Sequence, residues 1–190
     1  MSNDRKTRER IIETVIRLYS QHSYETISTK QIVEEVGISK GALYWHFTSK
    51  KDIFDEAFNR CYAKILEYSR IGIDESASAI DCLKRRLKNL LHIVKNDPLC
   101  VQVAGKYVSK HLDPDDGAYP YEELYNDIVK YVRKGLRNKE IVDLPESYLF
   151  HVCLDNVYSL AAYFRKHPEY YESELLIDKM IDSMHKSIQR

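Results

Sequence analysis

The stretch that most constrains this 190-residue chain is residues 28–51, STKQIVEEVGISKGALYWHFTSKK. Ser28 followed by Gln31 has the spacing of a capping box, in which each side chain satisfies a free backbone N–H of the other. The helix so begun turns Ile32, Val33 and Val36 inward and meets Gly37, a residue that tolerates the left-handed conformation common just past a helix end. Gly37, Ile38 and Ser39 make the turn, Ile38 acts as an apolar plug, and Ser39 caps a second helix. On that helix Leu43 and Phe47, four apart, share the face expected to be buried. At about 100° per residue, Gly41, Ala42 and Trp45 point the opposite way, with Lys40, Tyr44 and His46 on the flanks.

A helix that buries two residues while displaying Trp, Tyr, His and Lys leaves aromatic surface unused unless something docks there. A helix-turn-helix supplies the use, because its second helix enters the major groove of duplex DNA with its N-terminal residues at base edges. On that reading Ala42 and Trp45 meet bases and Gly41 lets the backbone come close. Tyr44, His46, Lys50 and Thr29 hold phosphates, which set register without reading sequence. Lys30, Ser39 and Lys40 complete the expected DNA-binding set. Leu43 and Phe47 are core.

The run VGISKGALYWHFTSKKDIF closely resembles the DNA-binding signature of TetR/AcrR-family transcriptional regulators: Gly, apolar, Ser, any residue, Gly, then Leu-Tyr, an aromatic or His, His-Phe, and a Lys shortly after. Every position is filled, over roughly the first quarter of the chain; beyond it the likeness is one of length and all-helical pattern. The resemblance implies an all-α fold, with a three-helix DNA-binding domain at 1–51 and a larger effector-binding and dimerisation domain at 52–190. It implies a homodimer on a twofold double-stranded DNA operator, most simply a repressor released by a small-molecule effector. Activation instead of repression, or control by a protein partner without an effector, stays open.

One decoy lies inside the signature. Gly37-Ile38-Ser39-Lys40-Gly41 spells the G-x-S-x-G nucleophile elbow, but that motif needs a strand before the Ser, and a capped helical pattern precedes this one. No catalytic residue is expected.

Composition adds little beyond a distribution of charge. The chain is formally neutral, yet residues 1–51 carry nine Lys/Arg against six Asp/Glu, and phosphate contacts need cations on one face rather than a basic protein. Cys61, Cys82, Cys100 and Cys153 are widely spaced and read as reduced thiols. The charged start MSNDRKTRER is neither a leader nor an anchor, and no segment approaches the roughly 18 apolar residues that span a bilayer, so a cytoplasmic location is expected with no membrane partner. No histidine has a ligand partner at helical spacing, so no metal or cofactor is expected.

In order, a helix at 4–21 carries Ile11, Ile12, Val15, Ile16, Leu18 and Tyr19 behind a basic start of Arg5, Lys6 and Arg8 that can reach phosphates or lie solvated. Ser49 caps a helix running to about 68, read as the mechanical link between the domains. Five more are expected near 77–96, 98–111, 120–138, 145–166 and 169–189. The helix at 145–166 is apolar nearly all round, which predicts burial on every side. The resemblance adds that the last two helices form a four-helix dimer interface, here with Tyr158, Ala161, Ala162, Ile177, Ile181 and Met184. A ligand pocket is expected from Tyr62, Leu66, Tyr107, Tyr125, Cys153 and Asn156, since aromatic walls with a few polar groups suit small molecules and equally suit an ordinary core. Asp155 and Asn156 are read as cavity-facing or, preferably, as structural or surface groups.

Overall fold

A computed structural model describes residues 3–111 and 122–190, apart from the side chains of Asn3, His111 and Tyr158. Among the described residues the order is α1 (Asn3–Gln21), α2 (Thr29–Val36), α3 (Lys40–His46), α4 (Lys50–Arg70), α5 (Ala79–Asn96), α6 (Pro98–His111), α7 (Glu122–Arg137), α8 (Glu146–Lys166), a 3-10 turn (Pro168–Glu172) and α9 (Glu174–His185). The fold is all-α: the β-type pairing among these residues is an isolated antiparallel bridge between Ile141 and Gln189. No described helix is long and apolar enough to cross a membrane.

The chain divides into two compact units. The first takes in the described residues of Met1–Ile65 and of Asp97–Gly117, and the second those of Leu66–Asn96 and of Ala118–Arg190. The first unit is therefore larger than the 1–51 segment read from sequence. Its core joins Ile11, Ile12, Val15, Leu18 and Tyr19 of α1 to Ile32, Val36, Leu43 and Phe47, and is completed by Ile53, Phe54, Ala57 and Cys61 of α4 and by Cys100 and Val103 of α6. The apolar stripe of α1 is too wide for α2 and α3 to cover, so α6 packs along it.

α6 also closes the end of α1. The last carbonyls of a helix lack intrahelical partners, and here Lys106 Nζ donates to the carbonyls of Tyr19 (3.0 Å), Ser20 (2.8 Å) and His22 (3.3 Å). All three ammonium hydrogens find acceptors in one place. One turn on, Lys110 pairs with Glu25 and lies 3.7 Å from the centroid of Tyr24.

α5 is the hub of the second unit, packing against α7, α8 and α9. Along its α9 side runs an ion-pair ladder: Lys84–Asp182 at 2.8 Å, Lys88–Asp178 at 2.6 Å and Lys88–Glu174 at 3.0 Å. Arg86 is buried, and its cost is offset by Ser69 Oγ at 3.0 Å and Asp127 Oδ2 at 3.1 Å. The same carboxylate oxygen accepts from Arg70 Nε at 2.6 Å.

Gly135 of α7 marks a close approach. A Cβ there would stand 2.6 Å from Ile141 Cγ1 and 3.1 Å from Ala79 Cβ. Ala at 135 should gain about 1 kcal/mol of helix propensity, yet overpacking a filled site typically costs about 1–3 kcal/mol. Gly135→Ala is thus expected to lower the urea midpoint, and a second change, Ile141→Val, to restore part of the loss.

Candidate nucleic-acid interface

The surface read from residues 28–51 is assembled by its caps. Ser28 Oγ accepts from Gln31 N at 3.1 Å, and Gly37 ends α2 at φ +73° with its N–H on the Val33 carbonyl. Only half of the capping box forms, because the Gln31 amide turns to Glu35 Oε1 at 3.4 Å and not back to Ser28. Ser39 Oγ accepts from Ala42 N at 3.0 Å and starts α3. Ser39 follows a helix and a left-handed turn, so the strand required by a nucleophile elbow is not what precedes it.

α3 then shows two faces. Leu43 and Phe47 are buried at 0% and 2% exposure, while Trp45 is 79% exposed and Tyr44 44%. Gly41 is exposed and Ala42 half-buried beside them. Lys40 Nζ lies 5.9 Å from the Tyr44 ring. Thr29 and Lys30 open α2 on its N-terminal turn; Thr29 is half-buried, and Lys30 is exposed with a loose 3.8 Å contact to Glu34. A large indole left in water on a helix otherwise anchored from beneath is the feature that a folded monomer leaves unexplained.

Two residues of the expected set are engaged elsewhere. His46 turns its ring toward α1, with only 8% of its side chain exposed and Nε2 3.5 Å from Asp4 Oδ1. Lys50 folds back onto the loop before α2: Nζ donates to the Tyr24 carbonyl and stands 4.1 Å from the Tyr24 ring and 5.6 Å from Phe54. Burial lowers its pKa. The cause is that Tyr24 packs edge-on to Phe54 at 4.7 Å and carries Lys110 as well as Lys50 at its ring, a long-range arrangement that the local motif does not report. Arg8 likewise pairs with Glu56 and stacks 4.6 Å over Phe47, so it braces the core.

The other expected sites fare differently. Tyr62 and Tyr107 fall in the first unit, joined through Phe58, which stacks on Tyr107 at 4.0 Å and on Tyr62 at 5.7 Å. Tyr107 Oη donates to Asp55 Oδ1 at 2.8 Å, and burial followed by that carboxylate pushes its pKa to about 12. Leu66, Tyr125, Cys153 and Asn156 fall in the second unit, where Tyr125 meets Phe150 edge-on at 4.6 Å. Surface clefts of about 330 Å³ at Tyr24, Lys106 and Lys110, and of about 400 Å³ at Lys84, Lys88 and Asp178, include none of the six.

α8 is not buried all round. Leu149, Phe150, Cys153, Val157, Leu160, Ala161 and Phe164 face its own unit, while Tyr148, His151, Asp155, Ser159 and Tyr163 are exposed. Asp155 is therefore a surface carboxylate and Asn156 half-buried beside it. Ala161, Ile177 and Ile181, expected at a dimer interface, are buried at 3%, 1% and 2% within the single chain. Their stripe is taken by the protomer's own α5-centred core. Ala162 and Met184 remain half-buried, and Tyr158 lies outside the described side chains.

Two capped short helices crossing a third, with the later one bare on its outer side, define a helix-turn-helix protein. Residues 11–57 match the model for bacterial regulatory proteins of the tetR family, and that segment is similar to the family's DNA-binding part. Among its relatives is the HTH-type transcriptional regulator AcrR of Shigella flexneri, 36% identical over 62 residues, 33% of this chain and 29% of that protein. Another is the biofilm operon icaADBC HTH-type negative transcriptional regulator IcaR of Staphylococcus aureus (strain Newman), 30% identical over 76 residues, 40% of this chain and 41% of that protein. The chain thus spans less than half the length of these curated relatives. In fold it is similar to a TetR family transcription regulator from Marinobacter aquaeolei VT8, with a TM-score of 0.83 at 16% identity and 98% of both chains covered. A gamma-butyrolactone receptor (ArpA-like protein) follows at a TM-score of 0.69 and 17% identity, covering 99% of this chain and 91% of that one.

The cap geometry makes Ser39 a structural residue. Ser39→Ala is expected to lower stability by about 0.5–2 kcal/mol, the usual cost of losing an N-cap hydroxyl, read as a fall in the thermal midpoint.

Proposed function

We propose that the chain is a homodimeric DNA-binding transcriptional repressor, acting in the cytoplasm and released from its operator by a small-molecule effector. The observation that carries the DNA part is Trp45, 79% exposed on a helix whose opposite face is fully buried. Trp45 and Ala42 offer apolar and edge contacts to bases in the major groove, and Gly41, whose added Cβ would meet nothing nearer than Ser39 Oγ at 3.8 Å, keeps the backbone close. Lys30, Lys40, Tyr44 and Thr29 take phosphates, along with the first turn of α1 at Arg5 and Lys6. His46 and Lys50 act from behind, holding α3 to α1 and α4 to the loop before α2. The negative regulator among the relatives supports repression, and the receptor among the similar folds supports an effector.

A twofold operator calls for a twofold protein. The surface that fits is what each protomer leaves uncovered: the exposed face of α8 at Tyr148, Asp155 and Tyr163, and on α9 the half-buried row Leu176, Met180 and Met184 beside Leu175, which is 66% exposed. The inward row Ile177, Ile181 and Ile188 is already used.

Two measurements test this. In mobility shifts against the chain's own promoter DNA and a random duplex, Trp45→Ala should shrink the affinity ratio about tenfold or more, as loss of a base contact predicts; equal weakening of both duplexes would remove its base-reading role. In sedimentation, Met180→Glu should convert dimer to monomer with helicity retained, and an unchanged sedimentation coefficient would rule this row out of the interface.

A further inference from the structure

The turn that aims α3 is closed from two directions. From within, the N–H groups of Gly37 and Ile38 both donate to the Val33 carbonyl, at 2.9 Å and 3.0 Å. The carbonyl of Val36, the last residue of α2, belongs to the helix end that lacks partners inside the helix. Its partner comes from α1: Arg10 Nη2 donates to the Val36 carbonyl across 26 positions of sequence. Two turns further along α1, Arg17 pairs with Glu35 of α2, so both guanidinium groups leave the helix on the side that faces α2. α1 also holds the far end of α3, through Arg8 over the Phe47 ring at 4.6 Å and through Asp4 Oδ1 at 3.5 Å from His46 Nε2.

We propose that Arg10 is a positioning residue for α3: by holding the Val36 carbonyl it fixes the Gly37 turn, and so the angle at which Trp45 and Ala42 are offered to bases, without touching DNA itself. The inference rests on the DNA-binding reading above. α3 has seven residues, too few to keep a direction by their own helical stability. Gly37 has open space where a Cβ would be, so packing does not limit the turn at that residue. A planar guanidinium on a backbone carbonyl does limit it, since both partners are stiff and a charged donor makes the stronger bond. Arg10 is exposed, which would also suit a phosphate contact. The two roles predict different things: a phosphate contact adds affinity for any duplex, whereas a correctly aimed helix adds it only for the right one.

The test compares the full-length wild type with Arg10→Met, which loses every donor, and Arg10→Lys, which keeps a charged one. In mobility shifts across a salt series, Arg10→Met should lower the ratio of affinities for the chain's own promoter DNA and a random duplex by about three- to tenfold, part of what one base contact is worth. The slope of log affinity against log salt should stay the same, and Arg10→Lys should recover most of the ratio. A ratio that holds while the slope falls by roughly 1 is the signature of a lost phosphate contact and would overturn the proposal. Hydrogen exchange needs no DNA and is read on peptides covering residues 33–43. Protection there should fall about tenfold in Arg10→Met, the order expected for a hydrogen bond from a charged group, and return in Arg10→Lys, while peptides of α5 keep theirs. Unchanged protection at 33–43, or an equal loss in α5, would overturn it too. A wild type that selects no duplex would count against the function proposed above and leave the exchange result to decide on Arg10.

Discussion

Everything α3 presents to solvent depends on how sharply the chain turns at Gly37. That residue sits at φ +73° with open space where a Cβ would be, so the demand is on backbone conformation and not on room. From the turn, Ile38 tucks partly against the core and Ser39 fixes the start of α3. The helix that follows has seven residues, and Leu43 and Phe47 are the side chains that hold it down. A short helix of this kind has little stability of its own, and its orientation is set by what lies beneath it.

What lies beneath includes more than α1 and α2. Phe54 of α4 takes the edges of both Tyr19 and Tyr24, at 4.9 Å and 4.7 Å. Lys50 and Lys110 meet the Tyr24 ring, and Lys106 closes the end of α1. Lys50, expected on a phosphate, here serves with Lys106 and Lys110 as a cap or ring partner, the ammonium groups of Lys50 and Lys106 resting on carbonyls and that of Lys110 on Glu25 and the Tyr24 ring. The cationic surface left exposed around α2 and α3 is correspondingly narrower, centred on Lys30 and Lys40 with the start of α1.

In the second unit the recurring theme is charge placed along helix seams. Lys84 and Lys88 of α5 meet Asp178, Asp182 and Glu174 of α9, four residues apart on one face. This consumes the polar side of α9, buries Ile177 and Ile181 beside it, and leaves Leu176, Met180 and Met184 on the remaining side. The apolar row that is left over, and not the one that is most apolar, is what the protomer leaves partly uncovered.

The sequence by itself determined the caps, the left-handed turn, the all-helical class and the two-faced character of α3, because each rests on interactions within four residues of one another. Ser28, Gly37, Ser39, Leu43 and Trp45 behave as their local spacing dictates. Only the tertiary structure decided that α6 belongs with the first unit, that Lys50 and His46 face inward, and that Ala161, Ile177 and Ile181 serve the protomer's own core. Periodicity reports that a helix has an apolar side and how wide it is. Which neighbour covers that side, and which ammonium finds a distant carbonyl or ring, depends on contacts between residues 26 to 87 positions apart, and those are fixed only when the core closes.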